Sequence, residues 1–175
     1  ERIARTVIGM SLADLEGRPL TYSEVGATAG GPLPAGYHHV RVTARIGTGR
    51  ERFEEAAERV MRYGMLRGAG VRVDATTEIA QVGTLVLGRL GPIPAPCRVV
   101  YTVDEPDQRG FAYGTLPGHA ESGEERFAVR YEPADGSVHA EVVAFSRHAT
   151  WWSRLGSPVT AFVQRVVTKR YVHAV

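Results

Sequence analysis

Residues 113–127, YGTLPGHAESGEERF, carry more chemistry than a connection between two strands needs. His119 follows Pro117-Gly118, and Glu121, Glu124 and Glu125 come close behind. A neutral imidazole held by a carboxylate is a general base, so His119 with Glu121 or Glu124 as its orienting partner is a candidate acid–base pair. The same residues also make a solvated turn, with Ser122 capping it and Glu124 and Glu125 facing water. A second cluster, TYSEVGAT, offers Tyr22 and Glu24. A tyrosine hydroxyl beside a carboxylate can donate to, or protonate, a bound carbonyl or enolate. The alternative is an arm that packs Tyr22 and caps itself with Ser23. Tyr37, His39, Tyr113, Trp151 and Phe162 are candidate ligand contacts, being aromatic or amphipathic side chains at strand ends or on the final helix.

Other chemistries are excluded or weak. No paired-cysteine or H-E-x-x-H motif exists, and His38 and His39 are adjacent, so they point to opposite faces of a strand and cannot chelate together from it. No metal site is expected. The glycines in GTGRERF and RGAGVRV lack the spacing of a dinucleotide fingerprint or a P-loop, so no cofactor is expected. Cys97 is the single cysteine, which rules out an internal disulfide, and nothing beside it in sequence would activate a thiolate. A net charge of +2, from 21 basic and 19 acidic residues spread along the chain, gives no pull toward nucleic acid. No apolar run reaches the ~20 residues of a membrane span. The N-terminus lacks the apolar core of a signal peptide, and the single cysteine excludes a disulfide-stapled secreted fold, so a cytoplasmic location is the expectation.

Chemistry at these positions needs elements to hold it. Residues 1–36 form an arm, ending in the Gly/Pro-dense AGGPLPAG; its Leu12, Leu15, Leu20 and Tyr22 need cover, so it packs on the body, residues 37–175. YHHVRVTARIG alternates as a half-buried strand, with Val40, Val42, Ala44 and Ile46 on one side. RERFEEAAERVMRYGML reads as one helix with Phe53, Ala56, Ala57, Val60, Met61 and Gly64 on its apolar face and Glu55–Arg59 and Glu58–Arg62 pairs outside. Strands follow near 71–74, 84–89, 98–104, 110–116, 126–132 and 137–146, with GPIPAP, EPDQRG and PADG as turns between them. In the last strand His139 and Glu141 share a face, from which they can pair with Arg130 as an outer ladder. Apolar residues from Leu155 to Tyr171 recur at three- and four-residue steps, predicting a long amphipathic helix. The class is α+β: an antiparallel sheet of about six to seven strands curved around a long C-terminal helix.

That order resembles the helix-grip fold of the START and birch-pollen-allergen superfamily. The segments LTYSEVGAT, LPAGYHH, YGTLPGHAESGEERF and VVAFSRHATWWSRLGSPV together resemble the family called domain of unknown function 1990, also known as uncharacterised protein family 0548. The resemblance implies a helix-grip-like fold and supplies no catalytic residue. Three functions follow as expectations. The first is a carrier or sensor that binds a small hydrophobic, lipid- or polyketide-like molecule in an internal cavity. The second is a cofactor-independent cyclase, isomerase or hydratase using His119, Glu121, Tyr22 and Glu24. The third is an interaction protein without a ligand. Either a monomer or a homodimer is compatible with these readings.

Overall fold

A computed structural model describes residues 9–149 and 171–175. The expected C-terminal helix up to residue 170, with Trp151 and Phe162, lies outside the described residues. Tyr171 and Val172 are helical and buried, and the chain end docks on the body through Arg52, whose guanidinium donates to the Val175 carbonyl at 2.6 Å.

Strand β1 (His38–Thr48) leads into helix α1 (Arg50–Met61) and the short helix α2 (Gly64–Gly68). Six strands follow: β2 (Arg72–Ala75), β3 (Leu85–Leu90), β4 (Ile93–Glu105), β5 (Gln108–Thr115), β6 (Glu121–Tyr131) and β7 (Ser137–His148). They form one seven-stranded sheet in the order β1-β7-β6-β5-β4-β3-β2, antiparallel at every junction. The two helices carry the chain from β1 at one edge to β2 at the other. This is the expected α+β helix-grip architecture.

Strand alternation divides the sheet into two faces. The inner face carries Phe111, Phe127, Val129, Ala140 and Val142, all essentially inaccessible, and meets Phe53, Ala56, Ala57 and Val60 of α1. Each large side chain of this kind contributes about 1.5–3 kcal/mol by leaving water. On the outer face Leu15 sits in a second cluster with Leu85, Leu87 and Leu116, so the described residues around it pack on the sheet.

The single helix expected over residues 50–66 is two. The periodic pattern continues through the break, but Tyr63 adopts a left-handed conformation (φ 62°) and turns the chain. The turn buries the Tyr63 ring edge-on against Phe111 at 5.6 Å and lets its hydroxyl reach the Thr77 carbonyl at 3.2 Å. Gly64 is required there, because a Cβ would meet the Arg59 carbonyl oxygen at 2.6 Å. The Glu55–Arg59 and Glu58–Arg62 pairs form as expected, at 2.9 and 3.2 Å.

Two expected turns are strands. GPIPAP is mostly β4, which pairs from Ile93 with Leu90 across a tight Gly91-Pro92 turn. Pro94 and Pro96 are tolerated because alternate residues point their N–H positions to the same side. Val99 N–H points to β3, bonding Thr84, so 94 and 96 point away from it, beyond the last β5 pairing at Cys97–Thr115. The second case is ESGEE. Strand β6 begins at Glu121, five residues earlier than the sequence suggests, paired with β7 from Glu121–His148 and with β5 from Glu124–Gly114. Gly123 makes this possible: a Cβ there would lie 1.9 Å from the Phe145 carbonyl oxygen.

Candidate functional site

With β6 regular from Glu121 onward, Glu121 and Glu125 share the inner face, while Glu124 and Arg126 share the outer face. Each face holds its own cluster.

On the outer face, Glu124 is 2% exposed, and each oxygen of its carboxylate accepts two hydrogen bonds. Oε2 accepts the Tyr22 hydroxyl at 2.7 Å and the Gly26 N–H at 2.8 Å. Oε1 accepts the Thr28 N–H at 3.0 Å and the Thr28 hydroxyl at 2.5 Å. Because Thr28 gives its proton to Glu124, the Tyr101 hydroxyl 2.7 Å away donates to Thr28. All four donors to Glu124 come from the arm. The Tyr22 ring lies over Gly114, where a Cβ would meet its hydroxyl oxygen at 2.2 Å, and edge-on to Phe145 at 5.6 Å. Burial and the hydrogen bond to Glu124 push the Tyr22 phenol far above its ordinary value, so it is a fixed donor. Nearby, Glu24 accepts from Tyr37 at 2.9 Å and from the Ser23 N–H and hydroxyl, both at 3.1 Å. The Tyr37 bond holds the Glu24 carboxyl below its usual range. His39 is exposed and donates from Nε2 to the Pro34 carbonyl at 2.7 Å.

On the inner face, Glu125 is half-buried and Tyr113 is buried, and the Tyr113 hydroxyl donates to Glu125 Oε2 at 3.2 Å. Their surroundings are apolar and aromatic. Tyr113 packs against Phe111 and Phe127, and Tyr171 packs against Phe127. Burial raises the Glu125 carboxyl to about 7, the nearby Glu121 charge adds to the rise, and the Tyr113 hydrogen bond opposes it. Burial also raises the Tyr113 phenol and the Cys97 thiol, so Cys97 is an inert buried thiol. The pair therefore presents, near neutral pH, a carboxyl that both gives and takes a proton, beside a phenol that only donates.

His119 stands in the connection from β5 to β6. Its Nδ1 accepts the Glu121 N–H at 3.0 Å, which leaves the proton on Nε2. Burial lowers its imidazole to about 4, so the ring is neutral at physiological pH. Its partner in Glu121 is thus a backbone group, where the sequence suggested the carboxylate.

The structure thus separates the sequence candidates. Tyr22, Glu24, Tyr37 and His39 belong to the arm side of the sheet. His119 and Glu121 lie where the β5–β6 connection enters the inner face, and Tyr113 is on that face. The solvated-turn alternative sets Glu124 and Glu125 facing water; Glu124 is buried under the arm and Glu125 lies half-buried on the inner face. Thr28, Tyr101 and Arg126 went unnoticed, and no local signal marks them, because their partners are distant in the chain. Arg130 does pair with Glu141, at 3.0 Å, in the expected outer ladder. Among the described residues no group of three or more His, Cys, Asp or Glu side chains is placed to hold a metal, and no helix is long and apolar enough to cross a membrane.

Comparisons with known proteins place this arrangement in context. A UPF0548 protein of Deinococcus radiodurans is 34% identical over 169 residues, covering 86% of this chain and 83% of the relative. A UPF0548 protein of Dictyostelium discoideum is 31% identical over 144 residues, covering 71% of this chain and 64% of the relative. Among solved structures, the hypothetical protein jhp0584 of Helicobacter pylori aligns with a TM-score of 0.56 at 8% identity, over 78% of this chain and 85% of that one, a likeness of fold alone. The family described as domain of unknown function (DUF1990) matches residues 21–174, from just before Tyr22 through both clusters, and the chain belongs to that family.

Proposed function

We propose that the inner face binds a small hydrophobic molecule and that the Tyr113–Glu125 pair addresses its one polar group, making the protein a carrier or sensor. The observation that carries this reading is the 3.2 Å hydrogen bond of that pair, a polar feature beside a wall of Phe111, Phe127, Val99 and Val142. Sites for small hydrophobic molecules orient the ligand through a few convergent polar groups among apolar walls. A ligand hydroxyl or carbonyl can exchange hydrogen bonds with a carboxyl that is half protonated near pH 7. The hydrophobic-ligand expectation also comes with the helix-grip resemblance.

The raised Glu125 carboxyl favours one second reading, a cofactor-independent isomerase, cyclase or hydratase. In it Glu125 is the acid–base group, Tyr113 a donor to the developing oxyanion, and His119, through Nε2–H, a further donor. Glu121 contributes by the charge that raises Glu125. The arm residues Tyr22 and Glu24 fit a positioning role, since their oxygens fasten the arm to the sheet.

The test is titration with an uncharged fluorescent hydrophobe, N-phenyl-1-naphthylamine. Saturable one-to-one binding is expected, displaced by the natural ligand and blocked when Val142→Trp fills the inner face. Absence of saturable binding, or binding indifferent to Val142→Trp in a folded variant, would sink the reading.

A further inference from the structure

Arg126 has the same sheet face as Glu124 and a contrary situation. It is 8% exposed, its Nε is sealed from solvent, and it makes no hydrogen bond or ion pair with any described residue. Guanidinium stays protonated at every accessible pH, so this side chain cannot shed its charge as a buried lysine or histidine does. An uncompensated buried charge is costly, and proteins pair it.

The nearest acidic side chains on that face cannot serve. Glu124, two residues along β6, already accepts four hydrogen bonds from the arm, which fills both oxygens. Glu141, on β7 diagonally across from Arg126, is engaged by Arg130 at 3.0 Å. Directly opposite are Val143 on β7 and Ala112 on β5, neither of which is an acceptor. The row continues to Tyr101 on β4 and to Arg41 on β1. Tyr101 feels the Arg126 charge, which draws its phenol down against the rise from burial, but its hydroxyl is turned to Thr28. Arg41 is a second cation in the same row, and it donates to the Gly31 carbonyl at 3.0 Å. The arm crosses above, with Ala27–Ala29 packed on β6 and β7.

We propose that Arg126 is the floor of an oxyanion-binding site on the outer face, roofed by the arm between Thr28 and Gly31 and flanked by Tyr101 and Arg41. Its ligand class is a carboxylate or phosphate small enough to pass the arm, taken through the fork of the guanidinium. The Glu124 charge nearby favours a monoanion over a multiply charged one. This site is on the opposite face from the hydrophobic ligand and does not depend on that reading.

The experiment titrates the full chain, labelled with nitrogen-15, with sodium acetate and separately with inorganic phosphate against sodium chloride at matched ionic strength. The Arg126 Nε–H resonance, assigned by its loss in Arg126→Lys, is followed in the wild type and in Arg130→Met, and the backbone amide resonances of Thr28 to Gly31 are followed in every variant, Arg126→Met included. A saturable shift with either anion supports the site, and the anion that gives it fixes the class. Affinity at least tenfold weaker in Arg126→Met, and unchanged in Arg130→Met, is expected. No saturable shift with either anion overturns the proposal, as does equal binding by Arg126→Met. If Arg126→Met fails to fold, the wild-type titration decides alone.

Discussion

Glu124 and Glu125 are neighbours on β6 that project to opposite faces of the sheet and meet opposite surroundings. Glu124 is buried among four arm donors that fill both of its carboxylate oxygens. Glu125 faces apolar surroundings with one donor, Tyr113, and burial raises its carboxyl to about 7.

Glu124→Gln should detach the arm. The amide replaces one acceptor oxygen by a donor that faces arm donors, leaving buried N–H and O–H groups unmatched, at a cost of roughly 2–4 kcal/mol. Tyr22→Phe removes one donor and should cost about 1–2 kcal/mol. Denaturant unfolding measures both, and limited proteolysis should cut the arm of Glu124→Gln faster than that of wild type. Equal protection of the two arms would contradict the role given to Glu124.

Gly114→Ala should destabilise by about 1–3 kcal/mol, because its Cβ enters the space of the Tyr22 ring, which Glu124 holds in place. In a Tyr22→Ser background the same substitution should cost much less. A double-mutant cycle with additive effects would show that the ring is not what requires glycine at 114.

Glu125 should make stability depend on pH. Its folded pKa, about 7, exceeds the ordinary value of 4.5, so the native state binds more protons between those values. Its contribution is fully present below the ordinary value and lost as pH rises to about 7, by at most about 3 kcal/mol. His119, lowered from 6.5 to about 4, acts in the opposite sense: its contribution is present above 6.5 and lost as pH falls through about 4. Subtracting the profile of Glu125→Gln isolates Glu125. The variant should gain on wild type as pH rises and level off above about 7.

His119 should titrate far below an ordinary histidine. Proton NMR should show its ring signals unmoved until the pH falls toward about 4, with nitrogen-15 shifts of an Nε2–H tautomer at neutral pH. A midpoint near 6.5 would mean that the ring is solvated and not held by the Glu121 N–H.

The faces of β1 and β7 and the helical face of α1 were legible in the sequence because one face of each is apolar and periodic. Residues 121–125 were not, because ESGEE is polar on both faces. Its polar groups are satisfied by Thr21, Tyr22, Gly26 and Thr28, about a hundred positions away, and by the interior pairing with Tyr113. Composition cannot tell a strand satisfied at long range from a solvated turn. The break at Tyr63 was hidden for a related reason: periodicity runs through it, and only the burial of the ring against Phe111 offsets the left-handed backbone. His119 and Tyr113 were visible as residue types at a strand end, whereas the reversal of Glu125 from surface to interior depended on where β6 begins.

Native mass spectrometry of the protein purified from its own host tests the central claim most directly. The account predicts one hydrophobic molecule bound per chain, released on denaturation, and depleted in Val142→Trp. A clean unliganded mass for the folded wild-type protein would contradict it.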